Sequence, residues 1–326
     1  MLTNLRRPSL LTALLLWPLV LAGCGGSDEP ADAADGAGAT GAGEPVVVQH
    51  VYGETTVSEV PERVVTIDLQ WTDTMLALGV DPVAYTVDSY MPGQRVPWQD
   101  LPADAEPIDV ADGLPLEQIA ALRPDLIVGS YSIADQGTYD KLAAIAPTIP
   151  NLDETQVTPW QDLVSLAGEL LERPDEAAAV VAEVDDAVAA TAADLPGLAG
   201  QTFALAQYVV GDSMYIVADP ADGSTVLFEQ LGMEMLPELV AERERTGEAR
   251  LNVSTERADL LRADLLAFLV NGGDESDLAD IPGFDALPGT VAVLDYPTIV
   301  GLNTPTPLSV PYALAGIRPF LEEAAA

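Results

Sequence analysis

A long helical segment over residues 174–193 divides the sequence into two halves of similar pattern. The segment is rich in Ala, Val, Glu and Asp, and Pro174 stands where a first helical turn accepts proline. At about 1.5 Å per residue, a helix of this length runs about 30 Å, which is the width of a small domain. We therefore predict one long helix that joins two folded lobes.

The half before this helix alternates short apolar runs with segments of helical periodicity. It opens on a predicted hairpin made of Val46–Val51 and Thr55–Val60. The further predicted strands are Arg63–Ile67, Pro82–Tyr85, Asp125–Val128 and Thr148–Ile149, and the predicted helices are Trp71–Leu78, Leu116–Leu122 and Tyr139–Ile145. Such alternation implies parallel strands covered by helices.

The half after the long helix repeats this pattern with an unrelated sequence. The predicted strands are Phe203–Val210, Leu265–Val270 and Val291–Leu294, and helices are predicted near Thr225–Leu231, Ser254–Leu261 and Pro311–Leu321. The predicted fold is α/β, with two three-layer lobes joined by one long backbone helix. We expect an N-terminal lobe over 46–155, a helical connection over 156–198 and a C-terminal lobe over 199–326.

The first 24 residues have the pattern of an export signal that ends at a cysteine. Arg6 and Arg7 precede the apolar stretch Leu10–Ala22, whose 13 residues are too few to cross a bilayer. The sequence Leu21-Ala22-Gly23-Cys24 resembles a bacterial lipobox, in which the signal peptide, here 1–23, is removed and the cysteine thiol is acylated. We predict an extracytoplasmic protein, lipid-anchored through Cys24 to the outer face of the cell membrane. An ordinary secretory peptide is the alternative.

A spacer of small and acidic residues follows the cysteine. Residues 25–45 consist mostly of Gly, Ala, Asp, Glu and Pro and contain no large apolar side chain, so they cannot collapse onto a core. We predict a disordered tether over 24–45 that connects the membrane anchor to the folded lobes.

Charge and the scarcity of Cys and His exclude several classes of function. The chain has 13 Lys and Arg against 52 Asp and Glu, a net charge of −39, which excludes a nucleic-acid partner because phosphate neutralisation needs clustered cations. Cys24 and His50 are the single cysteine and the single histidine. A disulfide, a metal cage or a Ser-His-Asp triad is therefore improbable, and we expect no metal site and no enzymatic activity.

Three stretches in the lobes resemble one known family. They read VPERVV at 60–65 followed by LALGV at 76–80, LEQIAALRPDLI at 116–127, and LAAIAPT at 142–148. They are similar to the substrate-binding proteins of iron-siderophore and cobalamin ABC importers, the helical-backbone class of periplasmic binding proteins, and the likeness extends from residue 46 to the end. The resemblance implies a monomer without a cofactor that captures a ferric siderophore between two lobes and delivers it to a membrane permease and its ATPase.

The same resemblance assigns two glutamates to permease docking. The acidic residue of the LE motif is Glu117, and Glu256 follows Ser254, a predicted N-cap, at the corresponding place in the second lobe. In the family such acids face arginines of the permease. The alternative is that both are ordinary first-turn glutamates.

Ligands of open α/β sheets bind beyond the carboxyl ends of the strands, and this rule selects the candidate ligand residues. Aromatic and basic side chains in or near the corresponding loops could cover an anionic ferric chelate and bind its oxygens. The ligand-binding candidates are Trp71, Tyr90, Arg95, Trp98, Tyr131, Tyr208, Tyr215 and Arg245. Tyr215 could instead be a buried core residue. Arg245 and its neighbours Arg243 and Arg250 could instead form ion pairs with nearby glutamates on the surface.

Two departures from hydroxamate-binding relatives leave the ligand class open. The arginine that such relatives carry shortly before the LE motif is replaced by Ala111-Asp112-Gly113, and their tryptophan before the second docking acid is replaced by Thr246-Gly247-Glu248. A cobalamin receptor is the main alternative. Haem carriers of the class generally coordinate the iron through His and Tyr, and haem is disfavoured here because the single histidine, His50, lies in the opening hairpin. An exported hydrolase is a further alternative, and it would need paired carboxylates such as Asp68 with Asp73 or Asp109 with Asp112.

Overall fold

Two separate β-sheets and a short hairpin organise the computed structural model, which describes residues 44–88 and 91–326. The strands are β1 (Val46–His50), β2 (Gly53–Val57), β3 (Val64–Thr66), β4 (Ala84–Thr86), β5 (Glu106–Ile108), β6 (Leu126–Val128), β7 (Thr148–Ile149), β8 (Thr202–Val209), β9 (Met214–Val217), β10 (Glu234–Met235), β11 (Arg250–Val253), β12 (Leu265–Asn271) and β13 (Thr290–Val293). The helices are α1 (Leu69–Ala77), α2 (Leu116–Ala121), α3 (Gln136–Ala143), α4 (Trp160–Leu170), α5 (Pro174–Asp194), α6 (Val226–Gln230), α7 (Pro237–Thr246), α8 (Tyr296–Asn303) and α9 (Ser309–Ala324). The predicted signal peptide, Cys24, residues 24–43 of the predicted tether and Tyr90 lie outside the described residues.

The first sheet is parallel throughout and has the strand order β5-β4-β3-β6-β7. Apart from the edge strand β5, its strands are buried on both faces, which explains why they appear in the sequence as continuous apolar runs. Val64 faces the core on one side and Val65 the core on the other, as the two-residue period of a strand requires. Because the strand order reverses direction at β3, the crevice between the ends of β3 and β6 is a topological switch point.

The second sheet is mixed, with the order β11-β9-β8-β12-β13 and with β10 paired to the start of β8. Here β9 and β11 run antiparallel to their neighbours, whereas β8, β12 and β13 are parallel. The chain returns from β8 to β9 through a tight turn in which Gly211 has a φ of 78°. A turn this short forces an antiparallel pair, so the parallel arrangement that the sequence indicated holds for only part of this sheet.

Helix α5 connects the two sheets in the chain and contributes to their shared core. It spans 21 residues from Pro174, and it buries Ala177, Val184, Val188 and Thr191, which lie on one face at helical spacing. The largest hydrophobic cluster is continuous from Trp71 of α1 through the faces of α4 and α5 to the second sheet. The two lobes are therefore packed against each other along this side.

Helix α8 was not predicted from the sequence. Its residues include Pro, Gly and β-branched side chains, which have low helix propensity. The Asp295 carboxylate accepts the Thr298 N–H at 2.9 Å as an N-cap, and Ile299 and Leu302 are buried. Capping and tertiary packing therefore outweigh the local propensity.

Within the described ranges, no helix combines the length and the apolar character that a membrane crossing requires.

Candidate functional site

A cavity of about 350 Å³ lies at the carboxyl ends of the first sheet, at its switch point. We call it the N-lobe cavity. It is lined by residues that follow β3, β4, β5 and β6 and by two residues at the end of α8: Ile67, Asp68, Leu69, Thr86, Val87, Asp88, Gln94, Val96, Gln99, Asp109, Val110, Ala111, Tyr131, Ser132, Val300 and Thr304. Three of these loops are among those that the strand-end rule selects.

Asp68 shapes the floor of the N-lobe cavity. Its carboxylate caps α1 by accepting the Trp71 N–H at 2.9 Å, and it also accepts the Ser130 N–H from the loop after β6. Tyr131 sits beside it, and its hydroxyl accepts the Leu69 N–H at 3.3 Å. Burial raises the pKa of Asp68 to about 7, because desolvation of the carboxylate outweighs these two backbone hydrogen bonds.

A second cavity, of about 500 Å³, covers one face of the second sheet, and we call it the C-lobe cavity. The strand register places Leu269, Gln207, Tyr215 and Asn252 side by side across β12, β8, β9 and β11. All four line the cavity, together with residues of α8. Amides and a phenol thus form a polar row on an otherwise apolar sheet.

Arg250 is the cation of the C-lobe cavity. Its Nε and Nη2 bind the two oxygens of Asp222 at 2.9 and 3.0 Å, and its Nη1 and Nη2 bind the side-chain and backbone oxygens of Asn303 at 2.7 and 3.1 Å. The Arg250 side chain is 17% exposed and the Asp222 side chain 0%. Arg250 is therefore held in a fixed fork geometry by a fully buried counter-ion.

A third cavity, of about 520 Å³, continues from the second around the end of β12. It shares Leu269, Asn271 and Tyr296 with the C-lobe cavity and adds the acidic residues Asp274, Glu275 and Asp295. We call it the acidic mouth.

The cavities meet where the two lobes touch. Val300 of α8 lines both the N-lobe and the C-lobe cavity. The Tyr296 hydroxyl donates to the Asp88 carboxylate at 2.9 Å, so α8 is bonded to the first lobe. Gln70 of α1 makes a further cross-lobe bond, because its Nε2 donates to the Pro305 carbonyl at 3.1 Å. The cavities therefore form one candidate cleft with α8 at its centre.

Asp73 is a second buried carboxylate at the lobe boundary. It accepts Trp98 Nε1 at 2.8 Å, Gln99 Nε2 at 2.5 Å and the Thr306 hydroxyl at 2.5 Å. Burial raises its pKa to about 6 in spite of these donors. The Trp98 ring lies 5.1 Å from the ring of Tyr312 on α9, so this tryptophan also spans the boundary.

Two of the sequence-derived ligand candidates line the cavities. Tyr131 lines the N-lobe cavity and is 39% exposed, and Tyr215 lines the C-lobe cavity and is partly buried. Trp98 stands at the lobe boundary with its indole N–H bound to Asp73. Arg95 is exposed, between the lining residues Gln94 and Val96 but not itself in the cavity wall.

Three other candidates are placed elsewhere, and for these the structure corrects the sequence reading. Trp71 is 0% exposed because α1 is surrounded by the shared core. Tyr208 is 2% exposed, and its hydroxyl bonds Asp280 and the Gly211 N–H instead of facing a cavity. Arg245 is on the outer face of α7, where both Nε and Nη2 bind Glu242. None of the three lines any of the cavities described above.

Sequence reasoning did not assign the polar row to the cleft, and it placed Arg250 among the arginines that border the cleft without choosing it as a ligand-binding candidate. The available signal was period-two alternation: Gln207, Asn252 and Asn271 are polar positions within apolar strands, and Arg250 begins β11. Because β9 and β11 were not predicted as strands, the alternation did not show that these polar side chains share one face of a sheet.

The two predicted docking glutamates are exposed on short helical turns. Glu117 lies in the first turn of α2. Glu256 lies in the first turn of the 3₁₀ segment Thr255–Leu261, and the Ser254 hydroxyl accepts its N–H at 3.3 Å, as the predicted N-cap requires. Both carboxylates therefore face solvent.

Among the described residues, no group of three or more Cys, His, Asp or Glu side chains could hold a metal ion. His50 is buried in the opening hairpin, with Nε2 3.0 Å from the Thr55 hydroxyl, and lines none of the three cavities of the cleft. The carboxylates of Asp68 and Asp73 are occupied by the internal donors given above. A ligand in this cleft would be held by amides, phenols and backbone groups.

Two α/β lobes on a long helix, with a polar cleft where they meet, define the helical-backbone class of solute-binding proteins. Residues 64–266 match the periplasmic binding protein family, and the chain belongs to that family.

Two relatives of this chain have names that describe them as proteins that bind iron chelates. The probable siderophore-binding lipoprotein YfiY of Bacillus subtilis is 26% identical over 82% of this chain and 80% of its own length. The Fe(3+)-citrate-binding protein YfmC of Bacillus subtilis is 25% identical over 81% of this chain and 80% of its own length.

Solved structures share the fold. A periplasmic solute-binding protein of Mycobacterium smegmatis is 27% identical, with a TM-score of 0.70 over 86% of this chain and 99% of that chain. PiaA of Streptococcus pneumoniae, in complex with ferrichrome, has a TM-score of 0.73 at 24% identity and covers 86% of this chain and 98% of its own.

Proposed function

We propose that this protein is the extracytoplasmic solute-binding lipoprotein of an ABC importer, and that it captures a ferric siderophore between its lobes and delivers it to the membrane permease. The observation that carries the proposal is the cleft around α8. Its three cavities, of about 500, 350 and 520 Å³, have the size that ligands of a few hundred daltons require. Relatives over most of the chain bear the names of siderophore- and ferric-citrate-binding proteins.

The chemistry of the cleft suits a bulky organic chelate. The phenols of Tyr131, Tyr215 and Tyr296 offer flat apolar faces and a hydroxyl each. The amides Gln207 and Asn252 supply donors and acceptors for ligand oxygens. Such a site binds by shape and hydrogen bonding and needs no side chain that ligates the iron.

Delivery to the permease would use one exposed acidic turn on each lobe, at Glu117 and at Glu256, and we call these two turns the shoulders of the molecule. Glu117 and Glu256 each present an exposed carboxylate on a short helical turn, one in each lobe. Two such acids, fixed to lobes that share a core, form a rigid two-point docking surface for permease arginines. The membrane anchor would be acylated Cys24, with 24–45 as the tether and the monomer as the working unit.

Tryptophan fluorescence tests the proposal on the mature chain. Trp98 lies at the lobe boundary, so a ferric siderophore in the cleft should quench its emission, and a gallium-loaded analogue should bind without iron quenching. Tyr215→Ala should weaken binding about tenfold, whereas Tyr139→Ala, on α3 against the opening hairpin and away from the cleft, should not. Saturable binding of cobalamin or haem with no binding of any ferric chelate would refute the ligand assignment. Turnover of the bound chelate would refute a purely binding function.

A further inference from the structure

We infer that the cleft selects a ferric chelate of zero or positive net charge, such as a tris-hydroxamate that carries a free amine, and rejects anionic chelates. This inference rests on the proposed function and names the substrate class of the same site. It is opposite to the expectation from the sequence, in which unpaired arginines would face an anionic ligand.

The positive charge of the C-lobe cavity is already neutralised. Asp222 receives two hydrogen bonds from the Arg250 guanidinium, and Asn303 receives two more. Four of the five guanidinium N–H groups are thus used within the protein. Since Asp222 is fully buried, its charge is not screened by water and remains paired with Arg250. An anionic ligand in this cavity would meet a neutral pair.

The N-lobe cavity carries acidic groups and no cation among its described lining residues. Asp109 is exposed at its edge, and Asp88 accepts the Tyr296 hydroxyl across the lobe boundary. Asp68 lies deeper and is charged for only part of the time at neutral pH, because burial raises its pKa to about 7. Carboxylates that face a cavity repel an anionic ligand and attract a cationic one.

The acidic mouth adds negative charge at the entrance. Asp274, Glu275 and Asp295 line it, and the hydrogen bonds from Ser276 lower the pKa of Asp274, so that this carboxylate stays ionised. The mouth and the C-lobe cavity share lining residues, so a chelate in the C-lobe cavity lies next to these acids.

The remaining candidate arginines do not supply the missing charge. Arg243 binds Asp219 through Nε and Nη2, and Arg245 binds Glu242 in the same way. Arg95 is exposed and outside the cavity wall. Among the described lining residues of the three cavities, Arg250 is the one basic side chain.

Ferric chelates differ in charge according to their donor groups. Three hydroxamates neutralise Fe³⁺, so a tris-hydroxamate is neutral, and a free amine on its backbone makes it a cation. Three catecholates leave the complex triply negative, and citrate complexes are also anionic. Among siderophore classes, hydroxamates therefore match the electrostatics of this cleft.

A panel of ferric chelates of different net charge, two of which share one chelate geometry, tests the inference on the mature chain. The probes are ferrioxamine B, which bears a free ammonium group, its N-acetylated derivative, which lacks the charge, ferric enterobactin and ferric citrate. We expect both hydroxamates to bind, with a dissociation constant at least about tenfold lower than that of either anionic chelate. Raising the salt concentration should weaken ferrioxamine B more than its acetylated form.

Two pairs of variants locate the effect in the cleft. Asp109→Asn removes a lining carboxylate and should reduce the preference for ferrioxamine B over the acetylated form about threefold, whereas Asp112→Asn, three residues further and outside the cavity wall, should not. Asp222→Asn releases the charge of Arg250 and should improve binding of ferric citrate about tenfold. Asp219→Asn, which releases Arg243 outside the cavities, is its control.

The outcomes separate this inference from the proposed function. Tighter or equal binding of ferric enterobactin or ferric citrate would overturn the charge selection and leave a siderophore-binding protein. Absence of binding by all four chelates would overturn both. The Asp109→Asn pair stands in an exposed loop, so it stays informative if Asp222→Asn fails to fold.

Discussion

The hydroxyl of Thr306 donates a hydrogen bond to the carboxylate of Asp73 over 2.5 Å, although 233 residues separate them in the chain. Both residues are 0% exposed. Asp73 belongs to α1 of the first lobe and Thr306 precedes α9 of the second, so the bond joins the lobes beside the cleft. Asp73 also accepts from Trp98 and Gln99, which makes it the centre of a buried polar network.

Loss of the Thr306 hydroxyl should destabilise the protein. Thr306→Val keeps the shape of the side chain but removes a donor from a buried carboxylate, and we expect about 1–3 kcal/mol less stability. Thr304→Val is the matched control, because the Thr304 hydroxyl bonds the Val300 carbonyl one turn earlier in the chain. Urea denaturation followed by circular dichroism measures both. An equal loss of unfolding free energy in the two variants would show that the cross-lobe hydrogen bond contributes no more to stability than the local one.

The stability of the fold should fall as the pH rises from about 4 to about 7. Burial raises the pKa of Asp73 to about 6 and of Asp68 to about 7 from 3.8. A carboxyl whose folded pKa is raised stabilises the fold fully below its unfolded pKa, and this stabilisation is lost as the pH passes through the folded value. For Asp73 the change corresponds to about 3 kcal/mol.

Asp73→Asn isolates this effect from the general repulsion among the acidic residues, which also weakens at low pH. The difference in unfolding free energy between the wild type and this variant should change between pH 4 and pH 6.5 and stay level above. Asp104→Asn, at an exposed position, should follow the wild type throughout. If the difference between the wild type and Asp73→Asn is the same at every pH, the raised pKa is contradicted.

Reversal of charge at both shoulders should uncouple binding from transport. Glu117→Arg combined with Glu256→Arg should leave the affinity for the ferric chelate unchanged and abolish uptake, because arginine would face arginine on the permease. Both positions are exposed and outside the cavity walls. Uptake of radiolabelled iron by cells that carry the variant provides the measurement.

The matched control for the shoulders is Glu183→Arg combined with Glu238→Arg. Glu238 is also an exposed first-turn glutamate, and Glu183 is exposed on α5. These cells should transport normally. Full uptake by the Glu117 and Glu256 double variant would refute the docking roles. A weakened affinity for the chelate would show that these glutamates act in ligand binding instead of docking.

Replacement of Cys24 should release the protein from the membrane. Without a thiol at position 24 no diacylglycerol can be attached, and a protein without acyl chains has no stable membrane anchor. We expect Cys24→Ser to appear in the soluble extracytoplasmic fraction with the same ligand affinity as the wild type. Mass spectrometry of the wild-type N-terminus should show the acyl chains, and retention of the variant in the membrane fraction would require another anchor.

Elements whose periodicity is strong were predicted at nearly their observed positions. The helices over Leu116–Ala121 and Pro174–Asp194 illustrate this. The mixed character of the second sheet and helix α8 were missed. Helix α8 is stabilised by the Asp295 cap and by burial against α9 and β12, and this packing does not appear in a local pattern.

The candidate cleft was predicted at the level of loops more than of side chains. The strand-end rule located the loops that carry Asp68 and Tyr131, since topology determines where the ends of parallel strands converge. It did not distinguish Trp71, which the shared core buries, from Tyr215, which lines a cavity. Burial depends on what packs against a residue, and aromatic composition carries no information on that.

The amino-acid sequence by itself determined the α/β class, the division at the long helix and the family, because periodicity, chain punctuation and motif order are properties of local segments. Only the tertiary structure decided the charge of the cleft. Arg250 and Asp222 are separate positions in the sequence, and a guanidinium becomes a neutral pair only when the fold brings a buried carboxylate within 2.9 Å of it. The electrostatic character of a binding site is therefore decided by pairing in three dimensions.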